Sequence, residues 1–206
     1  EGRAFAHVVT GDEKGLSYEL PYLGKFSWEN SVAHPDAGDR TIVVGLDDSS
    51  PGQVYVYVGD KQSDGNAVER AGLQNGLLYG IKVTNGGAKY SNGPVPLETS
   101  GAINGAFTLQ AFSRAEAAGT GSNLQSLSVS RGVTEFARPE DGHWDTKNPR
   151  VFYWVTTGAT VGGQSQSARL YKLTFDSLSN PTGGTIELVV DAANLTGTDG
   201  QPARSF

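Results

Sequence analysis

Two segments of this chain repeat one pattern: a glutamate followed, a few residues on, by an aromatic or apolar stretch and a proline. The first segment is residues 26–35, which contains Glu29, and the second is residues 138–149, which contains Glu140. Internal repetition indicates stacked or radially arranged copies of one supersecondary unit. In a radial arrangement, equivalent positions at the start of inner strands converge on one axis. We therefore predict that the two glutamates meet there and form a cation site.

The composition favours an all-β fold and excludes some classes of partner. The 206 residues include 28 glycines and 9 prolines, with 37% hydrophobic residues, which is typical of many short strands and turns. The formal charge of −6 argues against a nucleic-acid backbone as partner. No apolar stretch approaches the roughly 20 residues that a membrane-spanning helix needs. We therefore expect neither nucleic-acid binding nor a membrane span.

The chain contains no cysteine and no methionine. Without cysteine it has no disulfide, no thiolate metal ligand and no cysteine nucleophile. Because Glu1 is not a translation start, we expect the chain to be a processed product or part of a longer protein. The lack of a signal peptide therefore does not indicate a cytoplasmic location.

Alternating apolar residues and turn signals predict strands in two groups. The first group follows Glu29, and the second follows Glu140. The predicted strands cover residues 40–46, 53–59 and 76–83 in the first group, and 151–157, 168–175 and 185–190 in the second. The pattern predicts about two four-stranded blades of a β-propeller, within a single domain over residues 1–206. Known propellers use at least about four blades. Either the remaining blades lie outside this chain, or the fold is an open one.

Residues 84–132 break the strand rhythm, because glycine, asparagine, serine and alanine dominate them. We interpret this segment as a long insertion within the domain. It is expected to contain one or two short helices, one of them over residues 113–118. Segments of this length inside compact domains are more often functional or disordered than inert.

Several segments resemble the PhoX-type alkaline phosphatase family and its relatives, secreted bacterial β-propellers that include phytase-like proteins. The segments that carry the resemblance are residues 24–30, the strand leading to Asp47 and Asp48, residues 138–145, residues 148–157, residues 169–173 and residues 183–187. The resemblance covers most of the chain apart from the insertion. It implies a β-propeller fold and a secreted, periplasmic or extracellular location in bacteria.

The resemblance also implies a metal-dependent hydrolase. In this family, acidic side chains at the propeller centre hold calcium, and in PhoX enzymes also iron, to bind and hydrolyse phosphate esters. Carried over to this chain, it makes Glu29 and Glu140 the metal carboxylates and Asp47 a further candidate. A cysteine ligand helps to hold iron in PhoX enzymes, and this chain has none. Iron is therefore expected only in the complete protein.

Each candidate residue also has a structural interpretation. Glu29 and Glu140 could accept hydrogen bonds from backbone N–H groups at the strand entries. Asp47 and Asp48 are adjacent, and adjacent side chains on a strand point to opposite faces, so at most one should face a shared site. Arg138 could contact a phosphate, since its guanidinium fork matches phosphate oxygens, or it could pair with a local carboxylate.

Two functional hypotheses follow. The first is a calcium-binding, phosphatase-like enzyme, a metal-dependent phosphomonoesterase whose substrate is a phosphate ester. The second is a non-catalytic extracellular propeller that keeps calcium for rigidity and uses its loops for adhesion or assembly. In either case the remaining propeller segments, or another protein chain, are expected partners. No Gly-x-Ser-x-Gly elbow occurs, and the three histidines lack zinc-site spacing, so a serine hydrolase or a zinc enzyme has little support.

Overall fold

The computed structural model describes residues 1–84, 103–161, 164–197 and 200–201. The strands of this part of the chain are β1 (Gly2–Arg3), β2 (Phe5–His7), β3 (Ser17–Glu19), β4 (Lys25–Phe26), β5 (Trp28–Ala33), β6 (Arg40–Asp47), β7 (Gly52–Asp60), β8 (Leu77–Val83), β9 (Gly105–Phe112), β10 (Glu135–Phe136), β11 (Pro139–Trp144), β12 (Val151–Thr156), β13 (Thr160–Val161), β14 (Gln164–Ser165), β15 (Arg169–Phe175) and β16 (Gly183–Asp191). The helices are α1 (Ala67–Arg70), α2 (Arg114–Ala117) and α3 (Gly121–Arg131), with 3₁₀ turns at Pro21–Leu23 and Ala192–Asn194. Strands dominate, as the composition predicts.

The main sheet contains two antiparallel four-stranded meanders. The first meander is β5, β6, β7 and β8, and the second is β11, β12, β15 and β16. These are the two four-stranded units that the sequence predicts. Strand β9 pairs with β8 on one side and with β16 on the other, so the two meanders form one continuous sheet. The sheet is nearly closed, because its two end strands, β5 and β11, lie beside each other.

The main hydrophobic core contains residues from both meanders, β9 and β10. Its largest fully buried members are Phe107, Phe136, Phe152, Trp154, Tyr171 and Phe175. Each comes from a strand position whose side chain points to the same side of the sheet, as the period of two along a strand requires. This shared core fixes the two meanders relative to each other.

A second core covers the opposite face of the first meander. Val43, Tyr55 and Tyr57 alternate with main-core residues along β6 and β7, so these two strands are buried on both faces. Leu23 from the N-terminal segment and Leu124 from α3 pack on this outer face. None of the helices in the described ranges is long and apolar enough to cross a membrane.

The structure describes only part of the interpreted insertion, residues 84–132. Residues 85–102 lie outside the described residues. Strand β9 belongs to the main sheet, and helix α2 lies within the predicted helical stretch 113–118. The second helix, α3, begins after Thr120, whose side chain caps the backbone N–H of Asn123, and ends at Gly132 in the left-handed conformation.

Helix α2 is joined to α3 by Glu116. Its carboxylate accepts a hydrogen bond of 2.8 Å from the backbone N–H of Ser113, which closes a capping box, and it also pairs with Arg131. The hydrogen bond from Arg131 is the main reason that the pKa of Glu116 falls from 4.5 to about 2. Because the folded-state pKa is below its ordinary value, this stabilisation is present above pH 4.5 and is lost as the pH falls towards 2.

Replacing Glu116 by glutamine should therefore destabilise the fold in a pH-dependent manner. We expect Glu116→Gln to cost about 1 kcal/mol at pH 7, since the partly exposed ion pair with Arg131 is lost and the capping hydrogen bond loses its charge. The cost should shrink at pH 3, where the wild-type pair has itself lost most of its contribution. Urea unfolding at the two pH values measures this difference. The control is Glu187→Gln, which breaks an exposed pair with Lys172. An equal cost of Glu116→Gln at both pH values would contradict the stabilising role given to the ionised Glu116.

Candidate metal centre

The two repeated glutamates occupy equivalent positions in the two meanders. Glu29 is the second residue of β5, the first strand of its meander, and Glu140 is the second residue of β11, the first strand of the other. In both strands the pairing register shifts at this point, which indicates a β-bulge. A bulge inserts an extra residue and redirects its side chain. The bulges explain how both glutamates leave the regular alternation of their strands.

Side chains join the ends of β5 and β11 and bring the two glutamates together. Asn30 donates a hydrogen bond of 2.6 Å to the Asp141 carboxylate, so the residues that follow each glutamate contact each other. Farther along, the Trp144 indole donates a hydrogen bond of 3.3 Å to the carbonyl of Val32 and packs edge-on against His34. The near-closure of the sheet is therefore what places the two halves of the site side by side.

Glu29, Asp48 and Glu140 form a group of three carboxylates. One oxygen atom of each lies within 4.8 Å of an oxygen atom of the other two. The structure thus brings together the two glutamates that the repeat predicts to meet. Their role as metal ligands stays a prediction.

The aspartate in this group is Asp48, and Asp47 takes no part in it. Asp47 is buried, with 3% of its surface exposed, and accepts hydrogen bonds from the Ser27 backbone N–H and the Ser49 hydroxyl. Its burial raises its pKa to about 6. The expectation that only one member of the acidic pair faces the shared site agrees with the structure, but the choice of Asp47 does not.

The turn that carries Asp48 is tightly built. A Cβ atom on Gly52 would lie 1.9 Å from the carbonyl oxygen of Asp47, so a side chain at position 52 would push the turn apart. The backbone N–H of Asp48 donates a hydrogen bond of 2.8 Å to the carbonyl of Ser27, which lies two residues before Glu29. The turn and the start of β5 are thus held together. This arrangement fixes Asp48 relative to Glu29.

Arg138 is the cation that this acidic group contacts. Its guanidinium lies 2.9 Å from Oδ1 and 3.1 Å from Oδ2 of Asp48, and 2.9 Å from Oε1 of Glu140. Its backbone has a φ of 64°, the only positive φ of a non-glycine residue in the described ranges. Such conformations cluster at functional sites, where the surrounding structure maintains them. The distances show that Arg138 pairs with local carboxylates, one of the two roles considered for it. Its contact with phosphate stays a prediction.

Thr157 also contacts Glu140. Its hydroxyl donates a hydrogen bond of 2.8 Å to Oε1 of Glu140. Thr157 directly follows β12, just as Asp48 directly follows β6, so the two occupy equivalent places in the two meanders. The sequence repeat was traced only along the first strand of each unit. Aligning the two units as far as the end of their second strands would have identified both Asp48 and Thr157.

The charges of the group affect one another. Partial burial raises the pKa of Glu140, and the nearby carboxylates of Asp48 and Glu29 raise it further, whereas Thr157 and Arg138 oppose the change. The hydrogen bond to Asp48 raises the pKa of Arg138 above its usual value. Three carboxylates beside one guanidinium leave an excess of negative charge. A divalent cation would reduce the repulsion among them.

The donor set fits calcium. Calcium binds six to eight hard oxygen ligands, mainly carboxylates, carbonyls and water, in flexible geometry. The group supplies carboxylates from two strands and a turn, and it lies at a surface where further ligands can join. The sequence has no cysteine, so this chain offers no thiolate for a softer metal.

Comparisons with known proteins identify the fold and the family of this chain. Among solved structures, that of Pseudomonas fluorescens PhoX in complex with vanadate, a transition state analogue, is similar to the chain with a TM-score of 0.63 and 18% sequence identity. The match covers 92% of this chain and 36% of that one, so the chain spans about a third of the length of that protein. At this identity the match shows a shared fold, the β-propeller-like fold of PhoX. No curated protein sequence matches the chain. The family described as alkaline phosphatase PhoX matches residues 12–188, most of the sequence, and the chain therefore belongs to the PhoX family.

Proposed function

We propose that this chain binds a calcium ion through Glu29, Asp48 and Glu140 and, as part of its complete protein, acts in the hydrolysis of phosphate esters. The observation that carries the proposal is the meeting of three carboxylates from separate elements within 4.8 Å, in a chain of the PhoX family. The similar Pseudomonas protein binds vanadate, a transition state analogue, which supports a phosphate ester as the substrate class. Iron is proposed only for the complete protein.

The residues have distinct proposed roles. Glu29, Asp48 and Glu140 hold the cation, and Thr157 keeps Glu140 in its orientation through the 2.8 Å hydrogen bond. When bound, the metal polarises the phosphoryl group, stabilises its developing charge and lowers the pKa of a nearby water. Arg138 is suited to contact a phosphate oxygen, because its guanidinium lies beside the group of carboxylates and remains partly exposed.

The site is open, which suits a substrate that enters from solvent. Glu29 is exposed, whereas Asp48 and Glu140 are intermediate in exposure. Secretion fits this function, since phosphate esters outside the cell are available to a secreted or periplasmic enzyme. We therefore propose a secreted, periplasmic or extracellular location in a bacterium.

Hydrolysis of p-nitrophenyl phosphate tests the enzymatic proposal. We expect calcium-dependent turnover from the complete parent protein, and a reduction of at least about 100-fold in the Glu140→Gln variant, because a metal ligand is lost. The chain itself is assayed in parallel. Turnover that persists without calcium, or that Glu140→Gln leaves unchanged, would contradict the proposal.

The second candidate is a non-catalytic, calcium-stabilised scaffold with an adhesive or assembly role. The chain itself does not supply the cysteine that the resemblance to PhoX enzymes implies for iron. Its expected result is a rise in melting temperature with calcium and no turnover by the complete protein. The remaining propeller segments, or another chain, would then be its partners.

A further inference from the structure

Arg138 pairs with two of the three carboxylates, Asp48 and Glu140. Its Nε and Nη2 atoms bind both oxygens of Asp48, and Nη2 also binds Oε1 of Glu140. We propose that Arg138 is the internal counter-ion of the metal-free site, that a divalent cation displaces it, and that the displacement makes the guanidinium available to an anion. This inference rests on the proposed calcium site and adds an order of binding to it.

The two cations compete because they use the same oxygen atoms. The guanidinium is within hydrogen-bond distance of three oxygens on Asp48 and Glu140, and Oε1 of Glu140 also accepts the Thr157 hydrogen bond. A calcium ion that coordinates these carboxylates would share their oxygen atoms, and their negative charge, with Arg138. It would also place a second positive charge a few ångströms from the guanidinium, and like charges at that distance repel. Simultaneous binding in the present geometry is therefore unfavourable.

The Arg138 side chain can move away from the carboxylates while its backbone stays in place. The Arg138 N–H donates to the carbonyl of Phe136 at 3.1 Å, and the carbonyl of Arg138 accepts from the N–H of Thr157 at 3.2 Å. These bonds hold the unusual φ of 64° and anchor the residue at the mouth of the site. The side chain itself is 41% exposed, so it can rotate towards solvent without opening a core.

A released guanidinium would remain at the edge of the site, where an oxyanion bound to the metal could pair with it. Calcium and phosphate should then bind cooperatively, because each favours the state in which Arg138 has left the carboxylates. Such coupling is reciprocal: phosphate raises the affinity for calcium by the same factor by which calcium raises the affinity for phosphate.

Calorimetric titration of calcium into the wild type and Arg138→Gln tests the competition. Removing the internal counter-ion should tighten calcium binding by about 3- to 10-fold, which corresponds to the loss of two partly exposed ion pairs. Without calcium, Arg138→Gln should melt at a lower temperature than the wild type, since Asp48 and Glu140 then lack their ion-pair partner. Arg70→Gln, which removes an exposed pair with Glu13, is the control and should leave calcium affinity unchanged.

Inorganic phosphate supplies the second readout. In the wild type, phosphate should tighten calcium binding, and in Arg138→Gln this effect should disappear while calcium itself still binds. If Arg138→Gln binds calcium as the wild type does or more weakly, the competition is wrong although the metal site stands. If neither protein binds calcium, the proposed calcium site itself is wrong. The two failures are therefore distinguishable.

Discussion

Replacing either repeated glutamate by glutamine is expected to weaken calcium binding by at least about 100-fold. Loss of a residue that only orients a ligand costs 10- to 100-fold in metal affinity, so loss of the ligand itself should cost no less. Glu29→Gln and Glu140→Gln should behave alike, because the two side chains are equivalent in the two meanders and belong to the same group of three. Calorimetric titration measures the affinities directly.

The matched control for this prediction is Asp141→Asn. It removes a charge next to Glu140, but its side chain accepts a hydrogen bond from Asn30 and lies outside the group of three carboxylates. An amide oxygen can still accept that bond, so we expect a change in calcium affinity of less than about 3-fold. Equal losses in Asp141→Asn and Glu140→Gln would show that general negative charge, rather than coordination, attracts the ion.

The second large effect is expected from Trp144→Ala. Trp144 is 2% exposed, packs against Phe152 and Phe175, and connects β11 to β5 through the carbonyl of Val32. Its removal should cost about 3–5 kcal/mol in the free energy of unfolding, as for other buried aromatic residues. Because it also joins the strands that carry Glu29 and Glu140, we expect calcium affinity to fall by about 10-fold. Denaturant unfolding and calcium titration measure the two effects.

Trp154→Ala separates the general loss of packing from the loss of this connection. Trp154 is 1% exposed and its ring contacts are with Phe136 of β10 and Tyr171 of β15, in the same core. Trp154→Ala should lower the free energy of unfolding by a similar amount and leave the calcium affinity of the folded fraction unchanged. If Trp144→Ala does not fold, Trp144→Phe takes its place in the calcium titration. This variant keeps most of the packing but lacks the indole hydrogen bond to Val32. Equal effects of the two tryptophans on calcium binding would contradict the proposed role of the β5–β11 contact.

The strands of the fold could be predicted because their patterns are strong. Alternating apolar residues in β6 and β7 point to both faces, and the structure buries both faces. Helix α3 could not be located in the same way. Its serine, asparagine and glycine residues have poor helix propensity, and only Thr120 and Gly132 mark its ends. The pairing of β9 with both meanders depends on contacts between residues far apart in the sequence.

Part of the candidate site could be predicted from the sequence repeat and from strand periodicity. The repeat identifies Glu29 and Glu140, whose meeting follows from the equivalence of the two meanders. Strand periodicity says that Asp47 and Asp48 face opposite ways, but both faces of β6 are apolar, so the pattern does not say which of the two reaches the site. The bulges at the two glutamates, which redirect their side chains, have no clear signal in the sequence.

Anomalous scattering from crystals grown with calcium would locate the bound ion. We expect one peak among Glu29, Asp48 and Glu140, with an oxygen atom of each within about 2.3–2.6 Å of it. We also expect that the Arg138 guanidinium has moved away from Asp48. Calcium bound elsewhere while Arg138 still pairs with Asp48 and Glu140, or no calcium in the protein at all, would contradict the proposed calcium site.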